Sequence, residues 1–215
     1  MRTIFILLDS LNRHYLKPYG GWVETPNIER LAQRSVVFDR HYAGSLPCMP
    51  ARREMLTGRI NFLECPWGAI EPYDDCTPSL LRDQKGVYSH LISDHYHYWE
   101  QPAHGYHTVF DSWEFIRGQE GDPYIGQVAD PEPPEFRGRG ASGGLSKHRR
   151  FDWINRANMD TEKDEDYPTP QCFDNAVDFL DRNASEDNWF LHLEVFDPHE
   201  PFASPEKYRE IYGDD

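Results

Sequence analysis

Thr3 to Leu8 run without alternation through β-branched and apolar residues, the pattern of a strand buried on both faces in the middle of a parallel sheet. Asp9 follows at the carboxyl end of that strand, where ligands bind in open α/β sheets; a helix N-cap or turn residue is the alternative reading. Thr25-Pro26-Asn27 has the form of an N-cap followed by proline at the first helical position, and Ile28, Leu31 and Ala32 share one face of the helix it starts. Val36-Val37-Phe38 predicts a short strand. Pro50 opens another helix, carrying Met55 and Leu56 and ending near Gly58, which places Cys48 in the turn that enters its N-terminus.

Thr77-Pro78 repeats the helix-start signal, Leu80 and Leu81 supply an apolar face, and Gly86 ends that helix before a strand at Val87 to Ile92. Residues 117–146 hold Pro131, Pro133, Pro134 and many glycines with hardly any periodicity, which predicts a long surface excursion rather than a second domain. Cys172 to Leu180 predicts a helix with Phe173, Ala176, Val177 and Leu180 inward. Trp189 to Phe196 returns as a strand running into Asp197-Pro198-His199, and Ser204-Pro205 starts a last helix. Strand and helix alternate, so the fold class is α/β, a mostly parallel central sheet with helices on both faces. No internal repeat interrupts it.

Charge narrows the choice of partner. Lys and Arg number 22 against 37 Asp and Glu, a formal charge of −15 with no basic stripe, which argues against nucleic acid. The apolar run Ile4 to Leu8 is cut off by Asp9, too short to span a bilayer or to serve as a signal-peptide core, so a soluble, cytoplasmic protein with no membrane partner is expected. The four cysteines Cys48, Cys65, Cys76 and Cys172 form no CxxC pair, which predicts free thiols in a reducing compartment.

The most specific string runs from Leu46 to Arg59, Leu-Pro-Cys-Met-Pro-Ala-Arg-Arg-Glu-Met-Leu-Thr-Gly-Arg. It sets the Cys48 thiol at a helix N-terminus with Arg52 and Arg53 one turn along, where partial positive charge and guanidinium groups favour anions or a reactive thiolate. A buried structural cysteine beside a solvated arginine pair fits the same residues.

Cys48-x-Pro50-x-Arg52 followed by Leu56-Thr57-Gly58-Arg59 resembles the signature of the sulfatases, a branch of the alkaline-phosphatase-like superfamily. Ile4 to Asp9 resembles that family's first strand with its metal-binding aspartate, residues 25–32 its next helix, and Asp197-Pro198-His199-Glu200-Pro201-Phe202 its His-x-Pro segment. The resemblance implies hydrolysis of a sulfate ester, with Cys48 oxidised to formylglycine by a formylglycine-generating maturation enzyme. The mechanism it implies has one hydroxyl of the hydrated aldehyde attack sulfur and the other expel sulfate after the alcohol departs. The resemblance further implies that Arg52 holds the modified residue, that a divalent metal, calcium by the same resemblance, sits on Asp9 and on the modified Cys48, and that His199 contacts a small-molecule or carbohydrate sulfate ester.

Three departures qualify that picture. Asp9-Ser10 stands where sulfatases commonly show two adjacent aspartates, with Asn12 as a substitute ligand to consider. Ser93-Asp94-His95-Tyr96-His97 stands where the family has Gly-Lys-Trp-His, which leaves His95 and His97 to donate hydrogen bonds to the sulfate in place of lysine and histidine, or to be two surface histidines. The later Asp-His-Gly metal segment does not occur in the 215 residues, so residues 1–215 are expected to be the N-terminal part of a single catalytic domain, inactive by itself and with an unpaired apolar sheet edge. A phosphonate or phosphate monoester hydrolase using the same cysteine is the neighbouring alternative, and a noncatalytic binding module with a degraded metal site the alternative of another class. His90, His95, His97, His104 and His107 with Asp94 offer a rival reading as a cluster of ligands for zinc or another transition metal, while Trp99, Tyr96, Tyr98 and Tyr106 among them suit a sugar-stacking wall or plain packing. Asp160 to Asp166 reads as a solvated acidic face or a weak calcium contact.

Overall fold

The computed structural model describes residues 1–61, 63–129, 147–159, 163–200, 202 and 204–212. Four strands, β1 (Arg2–Leu8), β2 (Tyr88–Ser93), β3 (Ser112–Phe115) and β4 (Trp189–Val195), form one sheet in the order β1-β4-β2-β3. Every pairing is parallel, with Phe5 opposite His192 and Leu7 opposite Glu194. The helices are α1 (Pro26–Ala32), α2 (Cys48–Thr57), α3 (Thr77–Lys85), α4 (Lys147–Ala157), α5 (Pro168–Arg182) and α6 (Glu206–Tyr212). No described helix is long and apolar enough to cross a membrane.

Because strand side chains alternate, each face of the sheet collects its own core. Leu191, Leu193 and Val195 of β4, with Ile92 of β2, pack against Cys172, Ala176 and Phe179 of α5. On the other face Leu91 joins Met49 and Leu56 of α2, Cys76, Tyr98, Tyr106 and Phe110, with Phe190 against them. Helices therefore cover both faces, and the central strands β2 and β4 are the best buried.

Several local expectations are corrected. Among the described residues β1 pairs with β4 alone and lies at the edge of the sheet, with Ile4 and Ile6 exposed, since a run without alternation marks apolar character but not position in the sheet order. Val36-Val37-Phe38 forms no strand; the run is exposed and finds no strand to pair with, and three residues cannot hold an extended conformation unaided. α2 begins at Cys48 itself, with Pro47 as its N-cap and Pro50 within the first turn, where a missing N–H costs no helical hydrogen bond. Gly58, at φ 67°, ends it in the left-handed conformation that a side chain would strain. Thr25 is the N-cap of α1 with Pro26 as its first residue, as expected, although its side chain makes no capping bond; Thr77 instead lies inside α3, which Cys76 caps, its hydroxyl donating to the Leu56 carbonyl at 2.9 Å. The inward face of α5 runs through Cys172, Ala176 and Phe179, leaving Phe173 and Val177 exposed. Strand β3 and helix α4 lie outside the predicted elements. Of the excursion at 117–146, residues 117–129 carry no helix or strand, and residues 130–146 lie outside the described residues, as do residues 160–162 of the acidic run.

Candidate active site

Strand alternation decides which side chains arrive here. With Leu191, Leu193 and Val195 committed to α5, His192 and Glu194 of β4 face the side of α2 and α3. Leu7 of β1 lies opposite Glu194, and the Asp9 N–H extends the ladder to the Val195 carbonyl at 3.0 Å, so Asp9 shares Leu7's face. Two carboxylates on adjacent strands thus point at the N-terminal half of α2.

Arg52, one turn into α2 and 4% exposed, meets both of them. Its Nε and Nη2 donate to Glu194 Oε1 at 3.0 and 2.9 Å, and Nη2 also donates to Asp9 Oδ2 at 2.9 Å. The other Glu194 oxygen accepts from the Tyr98 hydroxyl at 2.5 Å, and His95 Nδ1 lies 2.6 Å from Oε1. Burial opposes ionisation of Glu194, but the charge of Arg52, with His95 and His192, outweighs it and holds the carboxyl well below the usual range. Arg53 turns instead to Asp74 at 2.8 Å, as successive helical positions must diverge. Arg52 and Arg53 are therefore both already paired with carboxylates.

The Cys48 thiol is not activated as its place at a helix N-terminus suggests. Burial and the nearby Asp9 charge push it up to about 11, beyond what Arg52 lowers, so it is protonated at neutral pH. His95 and His97 bring ring nitrogens to it: one ligand atom from each of Cys48, His95 and His97 lies within 4.8 Å of the others. Burial holds the His95 imidazole below its ordinary value, and its Nε2 has no hydrogen-bond partner. In the resting site His95 thus offers a lone pair rather than the donor expected at the lysine position. His97 Nδ1 pairs with Glu100, and its Nε2 lies 3.5 Å from Glu120.

His199 joins the group through an aromatic ring. The Phe196 ring stacks on His199 at 4.3 Å and touches His95 and His97 at 5.3 and 6.3 Å between centroids. Beneath it, the Phe196 N–H donates to the buried Asp94 at 2.7 Å, which ties the end of β4 to the end of β2. Sequence reasoning did not anticipate Glu194 or Tyr98 in these roles; the signal for Glu194 was a single acid in a run, Trp-Phe-Leu-His-Leu-Glu-Val, whose only other polar residue is His192.

The wider histidine cluster does not assemble. His90 faces α5, stacked on Phe179 and bonded to Ser112, while His107 stacks on Trp99 and reaches the Tyr98 carbonyl. Asn12 is equally removed, exposed and capping a short turn through the His14 N–H.

A family model for sulfatases matches residues 2–215. The chain belongs to the sulfatase family. This sulfatase chain is 26% identical over 223 residues to an uncharacterized sulfatase, YidJ, of Escherichia coli (strain K12), covering 98% of this chain and 41% of that protein. An arylsulfatase of Clostridium perfringens is 24% identical over 230 residues, covering 99% of this chain and 46% of its own. The chain thus spans less than half the length of these curated relatives. Among solved structures, the phosphonate monoester hydrolase of Agrobacterium radiobacter superposes with a TM-score of 0.59 at 20% identity, covering 98% of this chain and 43% of that one, which establishes the shared fold.

Calcium takes six to eight oxygen ligands. Of the described carboxylates, Asp9 stands nearest in role, but its two oxygens already accept from Arg52 and from Ser10 Oγ at 2.9 and 3.2 Å. Glu194 is committed to Arg52, His95 and Tyr98. The described residues do not by themselves fit a calcium site.

Proposed function

We propose that this sulfatase chain forms the nucleophile side of a sulfate-ester hydrolase active site, as the N-terminal part of one catalytic domain, with Cys48 converted to formylglycine by a maturation enzyme. The observation that supports it most is the convergence of Cys48, Arg52, His95 and His97 at the carboxyl edge of the sheet, with Asp9 and Glu194 behind them. The converted residue supplies a hydrated aldehyde, whose hydroxyl attacks sulfur. Arg52 cannot swing freely, since both neighbouring carboxylates hold it, so its charge is preorganised beside residue 48. Glu194 fixes the His95 ring, and Phe196 sets the spacing of His95, His97 and His199 around the sulfate. His95 must take up a proton before its Nε2 can donate to a sulfate oxygen, which couples binding of the anion to protonation.

A divalent cation, calcium by family resemblance, belongs to the same proposal; given the donor shortfall no step is assigned to it. A carbohydrate sulfate is the substrate class favoured, because a protein of this fold was solved with its substrate D-glucosamine-2-N,6-O-disulfate (TM-score 0.63, 20% identity, 98% of this chain and 37% of that one). The likeness to a phosphonate monoester hydrolase keeps that reaction as the second reading. Mass mapping of protein made alongside a maturation enzyme tests the proposal. It should show the CH₂SH of Cys48 converted to CHO while Cys65, Cys76 and Cys172 remain thiols. Hydrolysis of an aryl sulfate by a preparation carrying only the Cys48 thiol would sink it.

A further inference from the structure

We propose that, while Cys48 remains a thiol, the pocket binds zinc through Cys48 Sγ, His95 Nε2 and a ring nitrogen of His97, leaving a fourth position open. This inference goes beyond the hydrolase reading and does not depend on it. Among the described residues these three side chains are the set whose ligand atoms approach one another within 4.8 Å. Bonds of about 2.3 Å to sulfur and about 2.0 Å to nitrogen set the edge of a tetrahedral zinc site at roughly 3.5 Å. Closing the gap takes about 1 Å of side-chain movement, within reach of small changes of χ angle.

The donor chemistry is that of zinc rather than calcium, two imidazoles and a sulfur against an oxygen cage. His95 is 0% exposed, and its Nε2 is a buried nitrogen without a hydrogen-bond partner, which is costly unless something fills that role. His95 is also oriented as a metal ligand is: its Nδ1 bonds to Glu194, the carboxylate–histidine arrangement that fixes the tautomer and leaves Nε2 as the ligand atom, while His97 Nδ1 bonds to Glu100 and its Nε2 lies 3.5 Å from Glu120. Phe196 packs on both rings and holds them at their mutual distance.

Binding breaks the S–H bond of Cys48, sends its proton to solvent and forms the S–Zn bond, with no change of oxidation state. If Cys48 is also the converted residue of the hydrolase reading, zinc and that conversion compete for the same sulfur.

The test uses the whole chain produced without a maturation enzyme, its Cys48 thiol verified by peptide mass, reduced and freed of metal. One equivalent of cobalt(II) should give thiolate-to-cobalt charge-transfer absorption and the visible bands of a four-coordinate ion, and zinc should abolish both by displacement. Cys48→Ser should remove the charge-transfer band, and His95→Ala or His97→Ala should each weaken zinc binding by at least 10-fold, whereas Cys76→Ser and His104→Ala should not. Absence of the charge-transfer band in the unsubstituted protein overturns the proposal, a reading that does not depend on any variant folding. A band that survives Cys48→Ser, placing the metal on another thiol, overturns it equally.

Discussion

Arg52 sets two nitrogens on a single oxygen of Glu194, Nε at 3.0 Å and Nη2 at 2.9 Å, and the same Nη2 spans to Asp9 at 2.9 Å. One guanidinium thus joins helix α2 to the ends of two neighbouring strands. Glu194 is fully buried, so neither charge can fall back on water if the other is lost.

Removing Arg52 should therefore cost stability far beyond a surface ion pair. Arg52→Ala leaves Glu194 as an uncompensated buried carboxylate and should lower the unfolding free energy by about 3–5 kcal/mol. Arg52→Lys keeps a charge but not the fork and should fall between. Urea denaturation of the three proteins measures the difference; a loss under about 1 kcal/mol for the alanine variant would show that water reaches Glu194.

Acid should weaken the fold in two stages. Burial holds His90, His95 and His107 below the ordinary imidazole value of 6.5, so the unfolded chain takes up protons that the folded chain refuses. Their contribution is complete above about pH 6.5 and is lost as the pH falls below it. Glu194, held well below its ordinary 4.5 despite burial, adds stability that is present above that value and lost as pH falls through its folded pKa. Asp94 acts in the opposite sense, because burial and the Asp197 charge raise its carboxyl well above 3.8. Unfolding free energies from pH 7.5 to 5.5 should decline with acidification, less steeply in His95→Asn; an unchanged slope in that variant would remove His95 from the effect.

Calcium should bind this chain weakly. Asp9 is engaged by Arg52 and Ser10, and the remaining oxygens of a complete shell are not supplied by the described residues. Isothermal titration with the Cys48-converted protein should give a dissociation constant no tighter than the 10⁻⁴–10⁻³ M of weak extracellular calcium modules. Micromolar affinity, lost in Asp9→Asn, would show that the donor set is larger than the geometry indicates.

What could be read in the sequence was local. The spacing from Cys48 to Arg52 lies within one turn of α2, so the string carried its own geometry, and Asp9 was marked by ending an apolar strand. Glu194 was hidden because its direction depends on the alternation of β4, and its partners come from α2 and from the segment after β2. The histidine cluster misled for the same reason. Nearness in sequence does not state direction, and His90 on β2 faces α5 while the segment beyond the strand turns His95 the other way. Val36-Val37-Phe38 had the composition of a strand but no neighbour to complete it.

The Arg52 bridge also proofreads the sheet. β1 offers little to fix its own alignment, since Ile4, Phe5 and Ile6 are all exposed and either face of the strand is apolar enough to slide against β4. A one-residue slip would barely change that greasy contact, yet it would swing Asp9 to the α5 face and strip the buried guanidinium of one of its two counter-charges. Charge complementarity at the carboxyl edge thus selects the register that hydrophobic contact alone leaves ambiguous, and the residues gathered for chemistry are also those that tell the edge strand where to stop.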